Sequence, residues 1–161
     1  MRGLLHVADF VRKLRAQMRF GELSRAPLRL LRLQLWPETA ECDWMARSCD
    51  EWDAALPRGE RERRASFQAL QDALAIREML FGVLPGLQSA ELKSFRQSDR
   101  QSAREPPELI IFGTVTREAV PVEKVASPVM RAKLYGFRFF LDDGVLKRMD
   151  VGDGNLQSIS A

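Results

Sequence analysis

A chain of 161 residues with 45% hydrophobic content can bury one core and leaves little for a second domain. Its formal charge of +3 is too small to argue for a polyanionic partner, and no apolar run approaches the roughly 18 residues that cross a bilayer. The opening Met1-Arg2-Gly3-Leu4-Leu5-His6 breaks its apolar stretch too early for a secretory signal, so the expected location is the cytoplasm and the two cysteines, Cys42 and Cys49, are expected as thiols.

Charge is unevenly placed. From Met1 to Leu35 eight basic residues face two acidic ones, whereas from Trp36 to Pro57 six acidic residues face only Arg47. The first element is a basic amphipathic helix over residues 4–20, with Leu4, Val7, Ala8, Val11, Leu14 and Met18 on one stripe and Gly21 as its stop. Residues 1–21 are therefore set apart from an α+β domain over 22–149 and a flexible Gly, Asp, Asn and Ser tail over 150–161.

Between Pro27 and Pro37, Leu28, Leu31 and Leu35 also fit helical spacing, but the alternation of Leu31, Leu33 and Leu35 with Arg32 and Gln34, the short length and the flanking prolines favour a strand over Leu28 to Trp36. The adjacent Leu30 and Leu31 need opposite faces or a bulge between them. Trp36 to Gly59, acid-rich, carrying all three tryptophans and without a clean period, reads as a long loop with room for a short helix. Two neighbouring stripes, Phe67/Leu70/Leu74/Phe81/Leu84 and Ala69/Ala73/Ile76/Leu80/Val83, define a helix with a wide apolar face, ended by Pro85-Gly86.

Ala90 to Gln97 is a weaker strand, and the polar stretch 98–107 reads as a hairpin connection. Leu109 to Thr116, apolar on both faces, predicts a central strand. Ser127 as cap, Pro128 in the first turn and Gly136 past the end frame a short helix. Phe137 to Leu141 is the last strand, and after Asp142-Asp143-Gly144 the segment Val145 to Met149 pairs back on it. The order strand, helix, strand, strand, helix, strand predicts a ferredoxin-like βαββαβ sandwich, with a four-stranded, mainly antiparallel sheet, two helices on one face and the extra N-terminal helix.

The residues supply little catalytic chemistry. His6 is the only histidine, which removes a histidine-rich metal site and leaves a triad without local partners. Cys42 and Cys49 are separated by six intervening residues with no second pair, unlike zinc ligands, and the tail segment Asp150 to Asn155 lacks the distal glutamate of a calcium loop. No glycine loop of the phosphate-cradling kind occurs, so no metal or cofactor is expected. Lys133-Leu134-Tyr135-Gly136-Phe137-Arg138-Phe139-Phe140 approaches an RNA-recognition signature but falls at a helix-to-strand junction instead of on the third strand, and core packing of its aromatics is the simpler reading.

These observations predict a non-catalytic interaction or small-ligand-binding module, a homo-oligomer that covers the second face of its sheet by association. Its expected partner-binding residues are Leu4, Val7, Val11, Leu14 and Met18 on the N-terminal helix, with Arg29 and Arg32 extending the basic surface onto the first strand. A domain binding RNA or single-stranded nucleic acid through Arg29, Arg32 and strand aromatics is the alternative, and an enzyme using carboxylate or cysteine chemistry the second alternative. Contact with a membrane surface is disfavoured, since only Phe10 and Phe20 supply bulky insertion residues on the N-terminal helix.

Overall fold

The computed structural model describes residues 8–12, 28–47, 55–97, 106–118 and 127–149. Seven strands and two labelled helices follow a helical segment at 8–12: β1 (Arg29–Leu35), β2 (Thr39–Met45), α1 (Arg58–Val83), β3 (Ser89–Arg96), β4 (Glu108–Thr116), α2 (Pro128–Leu134), β5 (Phe137–Arg138), β6 (Phe140–Asp142) and β7 (Val145–Lys147). The fold is α+β, with a mixed five-stranded sheet in the order β1-β2-β3-β4-β5 and a separate β6-β7 hairpin.

The expected ferredoxin-like sandwich is corrected in two respects. A strand, β2, occupies Thr39–Met45 inside the segment read as loop, and the helix-linked parallel strands β2 and β3 are direct neighbours, whereas a split βαβ arrangement places another strand between them. All other pairs in the sheet are antiparallel. The parallel pair is what requires the long α1 crossover.

Alternation in β2 is strict. Ala40, Cys42 and Trp44 are buried, and Thr39, Glu41, Asp43 and Met45 are not. Register carries this face across the sheet, with Ala40 beside Ala90 and Val115, Cys42 beside Leu92, Gly113 and Phe137, and Trp44 beside Ser94 and Ile111. At Gly113 a Cβ would lie 2.6 Å from Cδ1 of Phe137, so the glycine is what lets that ring cross the strand.

Helix α1 lays Ala69, Ala73, Ile76 and Leu80 into the core at 0–2% exposure; the alanines allow close approach to the sheet, and Phe67 is rolled outward to 36%. Two arginines fasten its far end. Arg117 donates to the carbonyls of Phe81 (3.1 Å) in the last turn, of the cap residue Leu84 (2.6 Å) and of Leu87 (2.7 Å) in the connection that follows. Arg77 stacks 3.9 Å from the centre of the Tyr135 ring and donates to the carbonyls of Thr116 and Glu118.

The expected cap of α2 is present: Ser127 accepts from the Met130 amide, Pro128 opens the helix, and Gly136 takes φ +100° after it. The last strand is broken into β5 and β6. Asp143 and Gly144, both at positive φ, close the β6-β7 hairpin as a two-residue turn, and the Leu146 amide donates to Ser66 Oγ at 2.8 Å to hold it on α1.

Of the N-terminal helix, 8–12 is described. Phe10 is fully buried in the main core and Val11 packs against it, while Ala8, placed on the apolar stripe by spacing, is exposed. The remainder of that helix, the connection at 98–105 and the tail lie outside the described residues.

Candidate functional site

The main core draws on only one face of the sheet. Leu30, Leu33 and Leu35 of β1 join the buried residues of β2 to β5 on that face, together with α1, Ala132 of α2 and Phe10. The opposite face is polar over most of its length, but at the end beside Arg29 it carries Met45, Phe95 and the buried Leu109 in one row. One row across it reads Arg32, Asp43, Lys93, Phe112, Arg138 from β1 to β5, and the next reads Gln34, Glu41, Glu91, Thr114. None of these residues belongs to the core.

Signs alternate along the first row. Arg32 lies 2.7 Å from Glu41 and donates to the Gln34 amide oxygen at 2.7 Å, and the Lys93 ammonium sits 5.9 Å from the centre of the Phe112 ring. Partial burial raises the Asp43 pKa above the ordinary carboxylate value and Glu41 adds to the rise, while Lys93 and Arg32 oppose it. Three acids in these two rows stand against three bases, and Arg29 adds a fourth on the same face, so most of the second face expected to be apolar is one that water can solvate.

What remains incompletely covered is the edge. Among the described residues no strand pairs with the outer side of β1. Its core-side leucines, Leu30, Leu33 and Leu35, are only half-buried, although their neighbours Trp44, Cys42 and Ala40 are at 0–2%. Leu31 is 40% exposed at a bulge between Leu30 and Arg32, as the adjacent leucines required, and Trp36 is 48% exposed just past the strand. Trp36, Pro37, Glu38, Thr39 and Glu41 line a shallow depression there that is open to solvent.

The backbone of β1 presents hydrogen-bonding groups on that edge. The Trp36 amide donates to the Thr39 carbonyl at 2.8 Å, which makes these residues a hydrogen-bonded antiparallel pair. Bonding alternates along such a ladder, so Gln34 bonds toward Glu41 while the amides and carbonyls of Leu33 and Leu35 point away from β2.

A second polar cluster is internal. Arg47, just past β2, lies 3.0 Å from Asp72 of α1, their side chains 1% and 2% exposed, and Gln68 donates to Asp72 at 2.8 Å. Burial, the dominant cause, raises the Asp72 pKa to about 6 against the opposing pull of Arg47 and the Gln68 hydrogen bond. The pair ties the exit of β2 to the crossover helix. Cys42, buried in the core, has its thiol pushed up to about 12 by burial and by the neighbouring Asp43, so at neutral pH it remains protonated.

Three of the sequence-derived partner residues, Val11, Arg29 and Arg32, are among the described residues. Arg29 and Arg32 lie exposed on the polar side of β1, whereas Val11 packs against the core on the other side of the sheet; Leu4, Val7, Leu14 and Met18 lie outside the described residues, as do His6 and Cys49. Sequence reasoning missed β2, and with it the register that brings Asp43, Lys93 and Phe112 into one row. The inward run Ala40, Cys42, Trp44 was the available signal. Among the described residues no three His, Cys, Asp or Glu side chains converge as metal ligands, and no described helix is long and apolar enough to cross a membrane. No family model, curated protein or solved structure matches the chain.

Proposed function

We propose that this chain is a non-catalytic interaction module that associates with itself. The observation that carries the reading is the state of β1: a seven-residue strand at the limit of the described sheet, with three core-side leucines half-buried where their cross-strand neighbours are fully buried. A partner at that edge removes the remaining leucine surface from water and satisfies the outward amides and carbonyls together.

The polar face supports a protein partner over a nucleic acid. A strand of phosphates requires a continuous basic track, and Asp43, Glu41 and Glu91 interrupt this one. The depression beside Trp36 is too open to enclose most of a small molecule, which favours a contact between surfaces. Enzymatic use of Cys42 draws no support from a fully buried, protonated thiol.

Sedimentation velocity over a range of micromolar concentrations tests the reading. A sedimentation coefficient that rises with concentration toward that of a dimer is expected. A monomer throughout that range refutes it.

A further inference from the structure

We infer that the partner at the β1 edge is the β1 strand of a second copy, paired antiparallel about a two-fold axis through Leu33; this rests on the self-association proposed above. A two-fold axis perpendicular to the sheet keeps each face on its own side. The apolar leucines of one copy therefore meet those of the other beneath a continuous sheet, and the polar faces stay together in water.

Symmetry allows few registers, because opposed residues must share a face. Centring on Arg32 sets two guanidinium groups against each other, and centring on Gln34 leaves little of β1 paired before the strand ends at Leu35. Centring on Leu33 opposes Leu33 to itself and Arg32 to Gln34 of the second copy. That is the same amide acceptor Arg32 already uses within its own strand at 2.7 Å, while its charge stays balanced by Glu41 at 2.7 Å. No like charges meet in this register.

Backbone geometry favours the same centre. The Leu33 amide and carbonyl point away from β2, so two copies exchange a pair of Leu33 hydrogen bonds across the axis, and Leu35 of each copy reaches toward Leu31 of the other. The bulge at Leu31 ends the regular stretch on one side and the Trp36-Thr39 turn ends it on the other. The pairing is thereby confined to a short segment and closes as a dimer, without propagating into a fibre.

The test compares the full chain with Leu33→Pro by sedimentation velocity and measures hydrogen exchange of the unaltered chain at low and high concentration. Proline at this edge position removes an outward amide and no bond to β2. The expected results are a dissociation constant raised at least about tenfold in the variant, and Leu33 and Leu35 amides whose protection increases with concentration. If the variant fails to fold, the exchange measurement on the unaltered chain decides alone. A dimer that persists in folded Leu33→Pro, or Leu33 and Leu35 amides that exchange equally fast at all concentrations, overturns the β1 pairing and leaves self-association standing. A chain that never dimerises overturns both.

Discussion

Replacing Asp72 with asparagine tests the buried polar cluster through its dependence on pH. The ion pair with Arg47 at 3.0 Å suggests a stabilising contact, yet both side chains are almost wholly removed from water and burial raises the Asp72 pKa from 3.8 to about 6. Loss of hydration thus outweighs the attraction of Arg47 and the Gln68 bond. Between pH 4 and pH 6 the folded state binds more protons at this site than the unfolded state, so its contribution to stability falls as pH rises through that window. The shift corresponds to about 3 kcal/mol. Asparagine has nearly the same shape, keeps an oxygen for Gln68 and carries no charge at any pH in the window. The assay is urea denaturation of both proteins at pH 4 and pH 7. Relative to the parent, Asp72→Asn should gain about 2 kcal/mol on going from the lower to the higher pH, since part of the full shift lies below pH 4. An unchanged difference, or one that moves against the variant as pH rises, refutes the reasoning and makes attraction to Arg47 the dominant effect.

Two further perturbations probe the supports of the sheet. Arg117→Met leaves the carbonyls of Phe81, Leu84 and Leu87 without their donor and should cost about 2 kcal/mol in denaturant midpoint analysis, with hydrogen exchange accelerating in the last turn of α1 first. Cys42 should resist alkylation in the folded protein at mildly alkaline pH and react only at the rate of unfolding, as read by peptide mass mapping; labelling within minutes under native conditions would show its burial to be wrong.

The parts of the fold legible in the sequence were those whose signals were local. Ser127 and Pro128 mark α2 through cap chemistry, Asp142-Asp143-Gly144 marks the hairpin through backbone conformations that few other residues adopt, and Leu30-Leu31 predicts the bulge because two adjacent leucines cannot both take regular inward positions. β2 was hidden by composition. Its outward positions hold Glu41 and Asp43, poor strand residues that resemble loop chemistry, and they are tolerated because Arg32 and Lys93 stand beside them on neighbouring strands. Those neighbours come from distant parts of the chain, so no local window displays the compensation. The Arg47–Asp72 pair was invisible for the same reason: each residue alone looks like solvated surface, and only the crossover brings them together.

The missed strand also changes what remains to be covered. Without β2, Leu28 to Trp36 reads as one strand of a sheet whose apolar far face needs a partner; with it, the outward residues of β2 help make that face polar, and the exposed apolar surface on β1 moves to its outer edge. A face presents a broad surface to many kinds of partner, but an edge admits mainly another extended strand, since only that geometry reaches the outward amides and carbonyls of Leu33 and Leu35. In the proposed pairing the arginines and the bulge on β1 fit this restriction: a positive, interrupted edge would repel an unregistered copy of itself and accept one where Arg32 meets Gln34. On that proposal, the residues that would oppose unregistered edge-to-edge contact are also the ones that select its register.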